Sequence, residues 1–92
     1  MRKGVAARAK VIDVRTPEEF ASGHVSGAVN VPVNEIEEKI ASVAPDKSTP
    51  LMVHCRSGNR SARAKATLER LGYTNVTDLG SLAHAREVVE GK

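Results

Sequence analysis

The chain has 92 residues, enough for one domain with a single core and modest stability to spare, so no second domain fits. Fourteen Lys and Arg against eleven Asp and Glu leave a net charge of +3 with the signs interspersed, and Phe20 and Tyr73 are the only Phe, Tyr or Trp. That balance excludes a nucleic-acid binder built on a basic stripe and stacking platforms, and leaves the core to Val, Ile, Leu and Ala, as in a small α/β layer fold.

Met1-Arg2-Lys3-Gly4 is a charged start, but no apolar segment of signal-peptide length follows it and no stretch is long enough to span a membrane. A soluble, monomeric, cytoplasmic protein with no membrane partner is expected, with a periplasmic form trimmed of an export signal as the alternative. No internal repeat, low-complexity segment or linker interrupts the sequence.

Val11-Ile12-Asp13-Val14 reads as a short strand. Thr16-Pro17-Glu18-Glu19 then reads as a helix start, with Thr16 as N-cap, Pro17 at the first helical position and Glu19 closing a capping box, and Ser22-Gly23 ends it. Residues 28–33 predict a second strand with Pro32 near its end. Asn34-Glu35-Ile36-Glu37 repeats the capping signature ahead of a helix to about Val43, and a polar turn runs from Ala44 to Pro50.

Leu51-Met52-Val53-His54 is a continuous apolar run, the pattern of a strand covered on both faces. From Ser61 to Leu71 the sequence favours helix, stopped by Gly72 at C′. Residues 75–79 predict another strand, and Ser81 to Val89 a last helix capped by Ser81. Strands and helices alternate, which predicts an α/β fold with a parallel sheet wrapped by helices.

The only cysteine, Cys55, falls at the C-terminal end of the third strand, where such sheets bind ligands. It precedes Arg56-Ser57-Gly58-Asn59-Arg60-Ser61, a polar, basic turn that enters a helix. A thiolate there meets unpaired backbone N–H groups and the positive end of the helix dipole, with Arg56 and Arg60 adding to the field. The competing reading is a buried packing cysteine, which such polar neighbours argue against. A single cysteine allows no disulfide within the chain, and His24, His54 and His84 show none of the close pairings zinc sites use, so neither metal nor cofactor is expected.

Two segments together resemble the single-domain rhodanese family, the thiosulfate sulfurtransferases. One is Asp13-Val14-Arg15-Thr16-Pro17-Glu18-Glu19-Phe20 running into Gly23-His24-Val25-Ser26-Gly27-Ala28-Val29-Asn30-Val31-Pro32. The other is the loop from Cys55 to Ser61, followed by Leu71-Gly72-Tyr73 and Val76 to Gly80. One departure is visible: Gly80-Ser81 stands where the family often has a Gly-Gly pair, which affects a turn at the site rim.

The resemblance implies one rhodanese domain over residues 1–92, with a core from Val11 to Val89 and flexible ends. It also implies a three-layer fold with a twisted parallel sheet of about five strands and helices on both faces. The residues above give four strands, so a very short fifth is expected near Gly27 to Asn30 or at the N-terminus. It further implies a persulfide on Cys55, formed from an anionic donor such as thiosulfate and passed to a thiol or cyanide, with a protein acceptor also open. Phosphatases and arsenate reductases of similar architecture use a loop one residue longer between Cys and Arg, whereas Arg60 stands five positions after Cys55. The shorter loop is sized for a sulfur atom rather than a tetrahedral oxyanion.

In that scheme Cys55 is the nucleophile, and the N–H groups of Arg56, Ser57, Gly58, Asn59, Arg60 and Ser61 cradle the sulfur. Gly58 permits the turn and Arg56 points to solvent. Arg60 orients the donor or closes the loop, and Ser61 contacts the sulfur or caps the helix. His54 is expected on the opposite face from Cys55 and so not to act as its base, because adjacent strand residues alternate. His24 is expected to make a structural hydrogen bond, Asp13 and Arg15 to brace the sheet end as an ion pair, and His84 carries no signal. A sulfur carrier or protein-binding module with poor thiosulfate turnover is the main alternative, with a phosphatase or arsenate reductase behind it.

Overall fold

The computed structural model describes residues 9–91. Its elements are β1 (Lys10–Asp13), α1 (Pro17–Ala21), β2 (Val29–Asn30), a 3₁₀ turn (Val33–Glu35), α2 (Ile36–Val43), β3 (Leu51–His54), α3 (Asn59–Arg70), β4 (Val76–Gly80) and α4 (Leu82–Glu90). The four strands pair in parallel in the order β2-β1-β3-β4.

Alternation along the strands builds two cores. Ile12, Val14, Leu51, Val53 and Cys55 face Ile36 and Ile40 of α2 and Ala64 and Leu68 of α3. Val11, Met52 and Leu79 face Ala85 and Val89 of α4. Helices therefore cover both faces of the sheet, and β3, buried throughout, runs down its middle. Tyr73, just beyond α3, spends its ring in the first core and donates its hydroxyl to the Ala44 carbonyl at 2.6 Å, tying the end of α3 to the end of α2.

Among the described residues the sheet has four strands rather than about five. The segment near Gly27 to Asn30 is β2 itself, and the N-terminal position for a fifth strand lies outside the described residues, as do residues 1–8 and 92 of the ends expected to be flexible, whereas Lys10 and Glu90 belong to β1 and α4. β2 is also much shorter than residues 28–33. The chain still runs beside β1, with the N–H groups of Val31 and Val33 bonded to the carbonyls of Asp13 and Val14, but Pro32 between them has no N–H to give.

Two helix starts also differ from expectation. Asn34 caps nothing: the Glu35 N–H closes a 3₁₀ turn on the Pro32 carbonyl at 2.8 Å, and α2 grows out of that turn without a side-chain cap. α3 begins at Asn59, two residues before Ser61, because Gly58 takes a φ of 110° and turns the chain into the helix early. The α1 capping box between Thr16 and Glu19 forms as expected, as does the Ser81 cap of α4.

Candidate active site

Cys55 follows the last residue of β3, and its backbone is fixed before its side chain does anything. Its N–H bonds to the Gly80 carbonyl at the end of β4, at 2.9 Å, so the loop starts as an extension of the sheet. Ser57 bridges Ser81, and the Leu82 N–H reaches back to the Arg56 carbonyl. The Gly80-Ser81 departure thus sits on the rim of the loop, with Ser81 both capping α4 and bracing Ser57.

The loop then folds around the sulfur. The Gly58 N–H lies 2.9 Å from Cys55 Sγ, and Ser61 Oγ lies 3.8 Å away on the first turn of α3. Burial, the largest single influence, pushes the thiol up. Donors from the backbone of Ser61, Gly58 and Ser57 and from the Ser61 hydroxyl outweigh it, and the net result lies below the usual cysteine value. Cys55 is only 1% exposed, so solvent has little access to it.

Ser61 is not a helix cap. It is buried inside α3 with its hydroxyl donating to the Gly58 carbonyl at 3.0 Å, where it can turn towards a thiolate once the proton is lost. Ser61→Ala should therefore raise the Cys55 thiol and slow its alkylation by iodoacetamide near neutral pH by about threefold. Equal alkylation across the pH range in the two proteins would remove Ser61 from the sulfur cradle.

Arg60 makes a bidentate pair with Glu19 of α1, with Nη1 to Oε1 at 2.7 Å and Nη2 to Oε2 at 3.1 Å. Of the two roles expected for Arg60, closing the loop fits this geometry, because the guanidinium clamps the start of α3 to α1. Glu19 is the residue the sequence did not mark for the site. Its capping role was legible within four residues, but its partner lies 41 residues away. One oxygen serves both roles, since Glu19 Oε1 also accepts from the Thr16 N–H at 3.0 Å.

Arg60, followed by the Thr16 N–H, pulls the Glu19 carboxyl down to about 2. A carboxyl depressed on folding stabilises the protein fully above the ordinary carboxylate range, and the stabilisation is lost as pH falls towards that value. Glu19→Gln should therefore flatten the acid loss of stability between the ordinary carboxylate range and about pH 2. Urea titrations at a series of pH values read this directly, and parallel pH profiles for the two proteins would contradict it.

The remaining marked residues fall into place around this centre. Asp13 and Arg15 are buried and joined through both guanidinium Nε and Nη2, the latter at 2.6 Å, and Arg15 Nη2 also donates to the Gly23 carbonyl. They brace the end of β1 as expected. Asn30 adds to that brace by donating its amide to the carbonyls of Asp13 and Arg15.

His54 lies on the face of β3 opposite Cys55, with Nδ1 3.1 Å from the Cys55 carbonyl and Nε2 3.8 Å from Asp13 Oδ2, so its ring does not reach the thiol as a base. His24 bonds to the Phe20 carbonyl and stacks on the Phe20 ring, a structural role. His84 binds the Leu79 carbonyl at 2.7 Å. Arg56, on the loop, and Asn59, the first residue of α3, are exposed. No helix among the described residues is long and apolar enough to cross a membrane.

This geometry has close counterparts. The thiosulfate sulfurtransferase PspE of Escherichia coli is 45% identical over 71 residues, covering 77% of this chain and 68% of that protein. Thiosulfate sulfurtransferase GlpE of Pseudomonas aeruginosa is 38% identical over 71 residues, covering 77% of this chain and 63% of that protein. The chain thus spans about two thirds of these relatives. A solved E. coli structure described as a rhodanese with anions superposes with a TM-score of 0.80 at 42% identity, covering 83% of this chain and 89% of that one. The family model of the rhodanese-like domain matches residues 2–82, and the chain belongs to that family.

Proposed function

We propose that this rhodanese-type sulfurtransferase moves a sulfane sulfur from thiosulfate to a thiol or cyanide through a persulfide on Cys55. The observation that carries the reading is the sulfur of Cys55 held against the Gly58 N–H inside a loop of donors, with its thiol lowered below the usual value. The names of the PspE and GlpE relatives agree with it.

In the first half-reaction the Cys55 thiolate attacks the outer sulfur of thiosulfate. A new S–S bond forms, the bond from the outer sulfur to the sulfonate breaks, and sulfite leaves with the electron pair. The cradle does two things in this step. It favours the Cys55 thiolate over the thiol, and its N–H groups, from Arg56, Ser57, Gly58, Asn59, Arg60 and Ser61, face the negative charge that the persulfide carries afterwards. In the second half-reaction an acceptor thiolate or cyanide attacks the outer sulfur and Cys55 leaves as thiolate. Arg56, exposed on the loop, draws anionic donors towards it.

The test is intact-mass spectrometry after incubation with thiosulfate, followed by cyanide. A gain of one sulfur mass, lost on adding cyanide as thiocyanate appears, is expected. A persulfide that forms from sodium tetrasulfide but not from thiosulfate would replace this reading with that of a sulfur carrier loaded by another donor. Hydrolysis of an aryl phosphate would instead favour the phosphatase alternative.

A further inference from the structure

A cavity of about 350 Å³ opens beside the catalytic loop, between the first turns of α3, the start of the β1–α1 connection and the 3₁₀ turn. Its size is at the low end of small-molecule pockets, roughly 300–1,000 Å³. Arg60 belongs both to this cavity and to the loop, but Cys55 and residues 56–59 do not line it. The cavity therefore flanks the sulfur site rather than containing it.

Its charge is decided by accounting for partners. Arg15 is neutralised by Asp13 and Arg60 by Glu19. Glu35, at the end of the adjoining 3₁₀ turn, is taken by Lys39. Arg63, one helical turn after Arg60 on the same side of α3, pairs with no carboxylate among the described residues. It is exposed, while Val14, Pro32 and Val33 supply an apolar wall. One uncompensated guanidinium beside a short apolar surface fits a carboxylate at the end of a small aliphatic chain.

We propose that this cavity is the acceptor subsite, and that Arg63 selects low-molecular-weight thiols bearing a carboxylate. The inference rests on the persulfide reading above. With the carboxylate on Arg63, the acceptor thiolate attacks the outer sulfur of the Cys55 persulfide and a new S–S bond forms. The bond within the Cys55 persulfide breaks, and Cys55 leaves with the electron pair as thiolate. The product is the acceptor's persulfide, and no oxidant or reductant is consumed.

The test reads the second half-reaction alone. Wild type and Arg63→Gln are loaded on Cys55, desalted, and discharged by glutathione, 3-mercaptopropionate, 2-mercaptoethanol or cysteamine, with rates corrected to equal thiolate concentration. Sodium tetrasulfide does the loading, so the result stands whether or not thiosulfate is the donor, and failure of thiosulfate loading counts against the donor reading alone. Wild type should prefer the two carboxylate thiols to 2-mercaptoethanol, and Arg63→Gln should reduce that preference about tenfold. Arg63→Glu should shift preference towards cysteamine. Equal loss with all four thiols, or an unchanged preference, would overturn the proposal.

Discussion

Cys55→Ser should lose sulfur transfer by at least about a thousandfold while remaining folded, because it removes the nucleophile and little else. The serine hydroxyl can accept the Gly58 N–H that now lies 2.9 Å from Sγ, and the Cys55 N–H keeps its bond to the Gly80 carbonyl. Loop and helix entry are thus preserved, and stability should change by about 1 kcal/mol or less. An alkoxide is not available near neutral pH, and the cradle that lowers a thiol cannot bring a hydroxyl into range. The measurement pairs a thiosulfate:cyanide rate assay with a urea titration. Retained turnover would show that Cys55 is not the sulfur carrier, whereas loss of folding would show that its packing against Ala64 and Leu68 matters more than the cradle.

The contrast between Cys55 and Glu19 shows what a linear reading can reach. Every donor that lowers the Cys55 thiol lies within six residues of it, and so do the features that mark it: the end of an apolar strand, a glycine able to turn, and a helix about to start. The capping box of α1 is equally local, and both were legible. The second role of Glu19 depends on α1 and the start of α3 meeting at one end of the sheet, which no spacing encodes. The same holds for the cavity at Arg63, whose walls come from three separate stretches of chain. Element boundaries failed for a different reason, since backbone partners outvoted side-chain signals. A 3₁₀ turn on Pro32 displaced the Asn34 cap, and the turn at Gly58 started α3 before the serine that looked like its cap.

Asp13→Ala should be the most destabilising polar substitution beneath the site, costing about 3–5 kcal/mol, because it strands a buried guanidinium. Asp13 is 0% and Arg15 4% exposed, and the carboxylate accepts from the Arg15 backbone N–H as well as from its Nε and Nη2. Without it the Gly23 carbonyl, which accepts from Arg15 Nη2 at 2.8 Å, remains to support that charge. Such a loss is a large share of the roughly 5–15 kcal/mol that holds a domain together. It should also reach the sulfur, since the Val14 N–H, between the two charged residues, bonds to the His54 carbonyl immediately before Cys55. Replacing both partners removes the stranded charge, so Asp13→Ala with Arg15→Met should cost less than the two single changes added together. Urea titration of the four proteins, with Cys55 alkylation rates measured alongside, tests both parts. Additive losses would mean that the pair is not the unit bracing the end of β1, and an unchanged alkylation rate in folded Asp13→Ala would uncouple that brace from the Cys55 loop.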